Sequence, residues 1–372
     1  MKFTCERSVL LKEIAIAKEI ISSNTNAVSV LSNIYIEAEE HGGLTIKATD
    51  MKVHFETKVP VTVADPGSTT VFGGSFLGII SSVPEGQLEF ELTDSKITVK
   101  PANGKKKVKF HLRTIAAEQF PDFPQPDLER LFEIPVREFK EMIQQTVFAV
   151  SDDETRYQMN GVFFNKKDDV FVMVATDGRR LAFIKKDAPP SVADFEAGAV
   201  IPPKILQIVM KHAGDEGIIG VSVSKKQLFV RFGSYDLSSL LIEGTFPDYE
   251  RVIPEAQSRV FTIDRTETLE ALKRVSILAE KKSHRIYLGL LESGGLKVYA
   301  EESDQGYAEE EIPCKYDGDE MAIALNCRYI AEPFQVIDSK EISIHFTDPN
   351  KAITIKPEPE KDFFHIVMPM QP

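Results

Sequence analysis

The side chains in this sequence best suited to chemistry are carboxylates, imidazoles and thiols, and their spacing argues against an active site. Asp152-Asp153-Glu154 is a run of acids of the kind that holds a metal ion, but consecutive carboxylates cannot all face one cation, which leaves a solvated loop. The seven histidines are dispersed, with no partner residues placed to complete a catalytic triad. Gly42-Gly43, Gly73-Gly74 and Gly294-Gly295 are isolated turn pairs, and no GxSxG, P-loop, GxGxxG or HExxH pattern occurs. Cys5, Cys314 and Cys327 are odd in number, scattered and free of CxxC spacing, which points to reduced structural thiols rather than a disulfide framework or a zinc site. The expectation is a non-catalytic chain with no metal and no cofactor.

Charge leaves room for a different chemistry. The formal net charge is −13, which argues against a broad nucleic-acid surface, because phosphate contacts need clustered Lys and Arg. Any such site must be local. Segment Lys107 to Arg113 alternates, with Lys107, Lys109, His111 and Arg113 on one face and Val108, Phe110 and Leu112 on the other. Two readings stand side by side: an edge strand that lysines protect from aggregation, or an edge that meets another subunit. The corresponding region late in the chain is acidic, with Glu301, Glu302, Glu309, Glu310 and Glu311. A basic early edge and an acidic late edge can meet head to tail, giving a filament or, if the rotation closes, a ring.

The elements that must position these residues recur. FTCERSVLLKEIA at Phe3, FEIPVREFKEMIQ at Phe132 and FTIDRTETLEALK at Phe261 are spaced by 129 residues each time, and each runs from a strand-like start into an amphipathic helix. That period is too long for a solenoid unit and fits a small domain. LTIKATDMKVHFETKVPV from Leu44 is echoed by VMVATDGRRLAFIKKDAP from Val172 and more loosely by LKVYAEESDQGYAEEEIP from Leu296. Second helical segments follow at Gly73, Pro202 and Asn326, and two copies close on Phe120-Pro121-Asp122-Phe123 and Phe246-Pro247-Asp248-Tyr249. The expected organisation is three tandem domains, 1–125, 130–254 and 257–372.

Within a copy, apolar residues follow helical spacing. Leu10, Ile14, Ala17 and Ile21 form the first stripe, with Lys12 and Lys18 outward. Phe139, Met142, Ile143, Thr146, Val147 and Val150 form the second, opposite Arg137, Lys140, Glu141, Gln144 and Gln145. Leu269, Leu272 and Ala279 form the third, with Lys273 and Arg274 outward. Strands are expected at 44–48, 52–61, 97–100, 108–113, 163–165, 170–175, 221–223 and 228–232. Each copy therefore reads as α+β, two helices on a mostly antiparallel sheet. Glu6, Arg7, Lys12 and Glu13 interrupt any signal-peptide core, and the longest uncharged run, Pro66 to Pro84, is too polar to span a membrane. A soluble, cytoplasmic protein is expected.

Taken together, these residues resemble a known family, the bacterial DNA sliding clamps, or beta subunits of the DNA polymerase III holoenzyme. The resemblance covers the whole chain. It is carried by the opening MKFTCER, the pairs Arg156-Tyr157 and Asn160-Gly161, the run Ala175 to Leu181, Phe246 to Tyr249 with Arg251-Val252, and the terminal Val367-Met368-Pro369-Met370. It implies a ring-shaped, head-to-tail homodimer of three-domain chains, with helices lining a hole that duplex DNA passes through. Such a clamp needs sequence-independent phosphate attraction that permits sliding. The DNA-facing candidates are Lys12, Lys140, Tyr157, Lys204, Lys211, Lys273, Arg274 and Arg328, whose bland alternative is an ordinary solvated helix face.

The resemblance also implies a pocket that captures short linear peptides of polymerases, the clamp loader and repair proteins. Carried over by motif position are Met159, Thr176, Gly178, Arg179, Arg180, Leu181, Pro247, Arg251, Val252, Val367, Met368, Pro369 and Met370, with Arg180 and Arg251 as candidates for acidic or amide groups on the peptide. Met side chains suit a groove that accepts many partners. The implied dimer interface is Lys107, Lys109, Phe110 and Leu112 against Ile277, Leu278, Glu309 and Glu310. The chain departs from the family pattern at Ser22 to Asn26 and Val28 to Leu31, at Asp152 to Glu154, at Gln158 and at the terminal Gln371-Pro372. The rival is a repeat scaffold that binds peptides but not DNA, which closed-ring dimerisation would separate from a clamp.

Overall fold

In the computed structural model the periodic stretches become helices and strands in one thrice-repeated order. The structure describes residues 1–21, 30–102, 108–126, 130–190, 192–193, 195, 198–304 and 306–371. Lys107 and the departures at Ser22 to Asn26 and at Val28 and Ser29 lie outside the described residues.

The first stretch runs β1 (Lys2–Glu6), α1 (Arg7–Ile20), β2 (Asn33–Ala38), β3 (Gly43–Thr49), β4 (Val53–Pro60), β5 (Thr62–Asp65), β6 (Gly67–Phe72), α2 (Gly73–Ser82), β7 (Gln87–Thr93), β8 (Lys96–Pro101) and β9 (Phe110–Ile115). The second runs β10 (Leu131–Pro135), α3 (Val136–Gln144), β11 (Val162–Lys167), β12 (Val170–Thr176), β13 (Arg180–Asp187), β14 (Ala199–Ile201), α4 (Pro203–His212), β15 (Ile218–Val223), β16 (Gln227–Phe232) and β17 (Tyr235–Leu240). The third runs β18 (Arg259–Asp264), α5 (Arg265–Val275), β19 (Arg285–Leu290), β20 (Gly295–Ser303), β21 (Gly306–Lys315), β22 (Met321–Asn326), α6 (Cys327–Val336), β23 (Glu341–Phe346), β24 (Ile353–Glu358) and β25 (Phe363–Val367).

Two compact units emerge, residues 1–136 with 213–241, and residues 137–212 with 242–372. The first holds one sheet in the order β10-β15-β16-β17-β4-β3-β2-β6-β9-β8-β7-β1-β5. The second holds one in the order β14-β11-β12-β13-β25-β24-β23-β18-β21-β20-β19-β22. The middle repeat contributes strands to both, because sheet hydrogen bonds cross the repeat boundaries. In the first unit β17 pairs antiparallel with β4, setting Ser238 opposite His54. In the second β25 pairs antiparallel with β13, setting Ile366 opposite Leu181.

The apolar stripes do the burying. Leu10, Ile14, Ala17 and Ile20 of α1 are fully buried, and Phe3 stacks on Phe90 with centroids 4.6 Å apart. Phe139, Met142 and Ile143 of α3 are equally inaccessible, Phe139 meeting Phe164 edge-on. Burying each such side chain contributes about 1.5–3 kcal/mol. Two expectations need correcting. Gln145 is 3% exposed rather than outward: α3 ends at Gln144, Thr146 Oγ1 caps the Met142 carbonyl at 2.7 Å, and the turn swings Gln145 inward. In α5 the buried face is Thr268, Ala271, Leu272 and Val275, with Leu269 only partly covered and Ala279 buried beyond the helix end. The expected strand 108–113 forms at Phe110–Ile115. Among the described residues no helix is long and apolar enough to cross a membrane.

Candidate functional site

The turn between β12 and β13 holds itself in shape. Asp177 Oδ1 accepts from the backbone N–H of Arg179 at 2.8 Å and of Arg180 at 3.1 Å. Thr176 Oγ1 donates to the Arg180 carbonyl at 2.6 Å and accepts from Gly178 N–H at 3.0 Å. Gly178 sits at φ 84°, where a side chain is strained, and its Cβ would lie 3.0 Å from Arg156 Nη1. The turn thus presents Gly178 and Arg179 at the surface. The chain terminus is laced to it: Met368 N–H donates to the Arg179 carbonyl at 2.9 Å and Met370 N–H to the Ala324 carbonyl at 2.8 Å.

Beneath lies a dry cluster of Val174, Leu181, Val200, Phe246 and Ile366, with Phe183, Tyr249, Ile253 and Phe364 packed on it. Phe183 stacks on Phe364 at 4.8 Å and Phe163 on Phe246 at 4.9 Å. Leu181 and Ile366 are buried in this floor, Val367 is buried on the opposite face of β25, and Met368 is 45% and Val252 54% exposed. Pro247, Pro369 and Met370 are partly covered, and Met159 and Thr176 are buried. Arg251 is exposed and ion-paired with Asp248 at 2.6 Å.

Arg180 is largely occupied by partners within the fold. Its guanidinium is committed to Asp177 Oδ2 at 3.1 Å, to the Phe148 carbonyl at 2.7 Å and to the Glu332 carboxylate of α6, and it lies 4.6 Å from the Tyr329 ring centroid. It is a strut, with little left to offer a peptide. Beside it His365 is fully buried, its Nε2 facing Gln145 Oε1 at 3.1 Å, and Gln145 Nε2 donates to the Val336 carbonyl at 2.9 Å. Burial, with the neighbouring Arg180 charge, holds the His365 pKa down to about 3, so the ring is neutral. Sequence reasoning missed Phe148, Tyr329, Glu332, Gln145 and His365, since no local pattern marks partners so remote in the chain.

The Asp152–Glu154 run is a structured turn. Asp153 accepts from Thr155 N–H at 2.9 Å and Thr155 Oγ1 at 2.6 Å, which lowers its pKa. The Asn160 amide nitrogen, oriented by its network, faces the Ser151 and Asp153 carbonyls at 3.0 Å and the Arg156 carbonyl at 3.3 Å, which share its two N–H groups. Among the described residues no group of His, Cys, Asp and Glu could hold a metal ion. Tyr157, in the short helix after this turn, is 54% exposed.

The basic candidates sit on helices: Lys12 on α1, Lys140 on α3, Lys204 and Lys211 on α4, Lys273 and Arg274 on α5, Arg328 on α6. Lys12 Nζ lies 5.6 Å from the Tyr235 ring centroid. Lys273 pairs with Glu270 at 2.7 Å. Arg274 reaches Glu310 through Nε at 2.8 Å and Nη2 at 2.6 Å, so a DNA-facing candidate and an interface candidate occupy one ion pair. Ile277 is 75% exposed, and Leu278 Cδ1 borders the β20–β21 turn at Gly306. Phe110 and Leu112 of β9 are half-buried, Lys109 is exposed, and Glu309 pairs with Lys297.

Models of three consecutive domains match the chain: the N-terminal domain of the DNA polymerase III beta subunit over 1–124, its central domain over 133–248 and its C-terminal domain over 250–371. The beta sliding clamp of Treponema pallidum (strain Nichols) is 44% identical over 375 residues, covering 100% of both chains, and that of Pseudomonas aeruginosa is 29% identical with the same coverage. A crystal structure of the Pseudomonas aeruginosa sliding clamp bound to griselimycin superposes with a TM-score of 0.92 at 28% identity, covering 100% of each chain. The Bacillus subtilis clamp, at 24% identity and a TM-score of 0.93, shares the fold. With all three domain models in order and full-length relatives on both comparisons, the chain belongs to the DNA polymerase III beta subunit family, the bacterial DNA sliding clamps.

Proposed function

We propose that two copies of this chain join head to tail into a ring that encircles duplex DNA and tethers the replicative polymerase, acting as a non-catalytic processivity factor in the cytoplasm. The observation that carries the ring is a seam that recurs along the chain. In the sequence repeat, β4, β13 and β21 are equivalent strands, and so are β9, β17 and β25. β4 takes β17 as its neighbour and β13 takes β25. The third pair stays open: Phe110–Arg113 of β9 bonds β8 only, and Gly306–Pro313 of β21 bonds β20 only, among the described residues. A second copy completes it, β9 of one chain beside β21 of the next.

Charge and apolar surface suit that junction. Lys109 just before β9 is exposed and His111 and Arg113 stand outward on it, while Glu309 and Glu311 stand outward on β21. Phe110, Leu112, Ile277 and Leu278 supply the apolar contact. Helix-borne lysines and arginines would attract phosphate weakly and without base readout, and topology would supply retention. Partner peptides would lay an apolar side chain over Leu181 and Ile366 between Met368 and Val252, an anchor worth about 1.5–3 kcal/mol.

The test is retention on DNA. Labelled protein is loaded onto nicked circular plasmid by a clamp loader, isolated by gel filtration, and the plasmid is then cut. Protein that stays on circles in high salt and runs off cut ends is topologically bound; equal loss from circles and linear DNA with a competent loader overturns the clamp reading in favour of a peptide-binding scaffold.

A further inference from the structure

A cleft of about 170 Å³ lies wholly within the first compact unit, between the sheet and the segment Phe123–Pro126. Part of its floor is a row of charges across four neighbouring strands, β3, β4, β17 and β16. Lys47 is opposite Glu56, Glu56 opposite Asp236, and Asp236 opposite Arg231. The row reads plus, minus, minus, plus. Lys47 Nζ is 3.3 Å from Glu56 and Arg231 Nε is 2.5 Å from Asp236, so each cation holds its carboxylate from outside and the two acids are neighbours in the middle. Like charges directly opposite on adjacent strands are unfavourable. A cationic group above the pair relieves that repulsion.

The sequence repeat shows how unusual this surface is for its position. Ala48-Thr49-Asp50 aligns with Ala175-Thr176-Asp177, and Phe120–Phe123 with Phe246–Tyr249. His54 and Glu56 therefore stand where Leu181 and Phe183 stand, and their partners Ser238 and Asp236 stand where Ile366 and Phe364 stand. In the second unit those four positions are apolar and closed by Tyr249. In the first they are polar, and the equivalent ring, Phe123, rests 4.8 Å from His54 beside open space. Leu131, 36% exposed, lines the cleft as well.

We propose that this cleft is a second peptide-binding site, taking an extended segment of a partner protein that carries a lysine or arginine beside an apolar or proline residue. The basic side chain lies over Glu56 and Asp236, and the apolar one packs between Phe123 and Leu131. The chain's net charge of −13 favours encounter with a basic segment. The inference rests on the reading of this chain as a platform for linear peptides, and it predicts different chemistry from the pocket at the chain terminus.

The probe is a fluorescein-labelled peptide, Gly-Pro-Lys-Phe-Pro-Lys-Gly, titrated with the full chain and read by anisotropy, against the same peptide with both lysines replaced by glutamate. Saturable binding of the lysine peptide alone is expected, weakened about tenfold by Glu56→Gln and by Asp236→Asn, one charge contact each. Glu91→Gln, at a partly buried acid of β7 that lies outside the cleft, leaves it unchanged. Met368→Asp abolishes capture at the terminal pocket and leaves the lysine peptide bound, so failure of that pocket and failure of this cleft read out separately. Melting temperatures of the Gln and Asn variants within a degree or so of the parent, about the scale of a few tenths of a kcal/mol, establish that they fold. The proposal is overturned by absence of saturable binding, by equal binding of the glutamate peptide, by Glu91→Gln weakening it as much as Glu56→Gln, or by loss in Met368→Asp.

Discussion

Replacing Arg180 by methionine tests whether this residue is a strut or a peptide reader. Methionine keeps an unbranched stem and removes the charge. The side chain is 10% exposed and its partners Asp177 and Glu332 are 13% and 35% exposed. Removing one partner of a buried pair strands the others and costs about 3–5 kcal/mol. Glu332 is open enough to recover part of its hydration, which places the expected loss near the lower end, about 3 kcal/mol. For a folding unit of this size about 2–4 °C is lost per kcal/mol, so the calorimetric transition of the second unit should fall by about 6–12 °C. Glu332→Gln alone should cost less, and the Arg180→Met/Glu332→Gln double variant should show a coupling of about 1 kcal/mol or more. A fall under about 2 °C, or strictly additive losses, would show that the network does not carry the fold here.

Three further expectations follow from particular residues. Ile277→Glu puts a charge on the open seam beside Glu309 and Glu310, and light scattering should read 41.6 kDa rather than twice that mass; a persistent dimer refutes the assignment. His365 has a folded pKa of about 3 against about 6.5 unfolded, so between those values only the unfolded chain takes the proton. The stability it confers is full above about pH 6.5 and falls by about 1.4 kcal/mol per unit as pH drops toward 3; urea midpoints across that range should fall less steeply in His365→Gln, and parallel slopes would contradict the burial argument. Gly161→Ala places a Cβ 2.7 Å from the Ile201 carbonyl and 2.8 Å from Ile242 Cδ1, so it should lose about 1–3 kcal/mol by thermal melting, and an unchanged midpoint would mean that the backbone there gives way.

Much of the fold was legible because its signals are local and repeated. The stripe Leu10, Ile14 and Ala17 and the alternation through Phe110 and Leu112 each report which face is covered, whatever covers it. The ATDGRR run is legible too, since Asp177 and Thr176 bond only to residues up to four positions on. What escaped depends on partners that no period encodes. Gln145 falls on the outward side of a helical wheel, yet the helix stops one residue earlier and the side chain meets His365 far along the chain. Arg180 was carried over as a peptide contact by motif position, and no motif encodes the Glu332 carboxylate and Phe148 carbonyl that hold its guanidinium. Arg274 is a DNA-facing candidate from the family resemblance and its outward helix face, and its bond to Glu310, which depends on β21 lying beside α5, has no local signal.

The repeated seam also explains why the site chemistry differs between copies that share a backbone. Each seam needs only main-chain hydrogen bonds between an early strand and a closing strand, and those are indifferent to side chains. Selection on the exposed row above the seam is therefore free to diverge. At β13–β25 the row is Leu181, Phe183, Ile366 and Phe364, packed against Tyr249. At β4–β17 it is His54, Glu56, Ser238 and Asp236, with Phe123 resting on His54 at the edge of the cleft. At β9 and β21 the outward residues are His111 and Arg113 on one and Glu309 and Glu311 on the other, and in the proposed ring, where this seam lies between chains, such charges would steer association. In the proposed ring that third seam has no covalent link across it, so it is the one that would part to admit DNA while the two internal seams keep each chain intact.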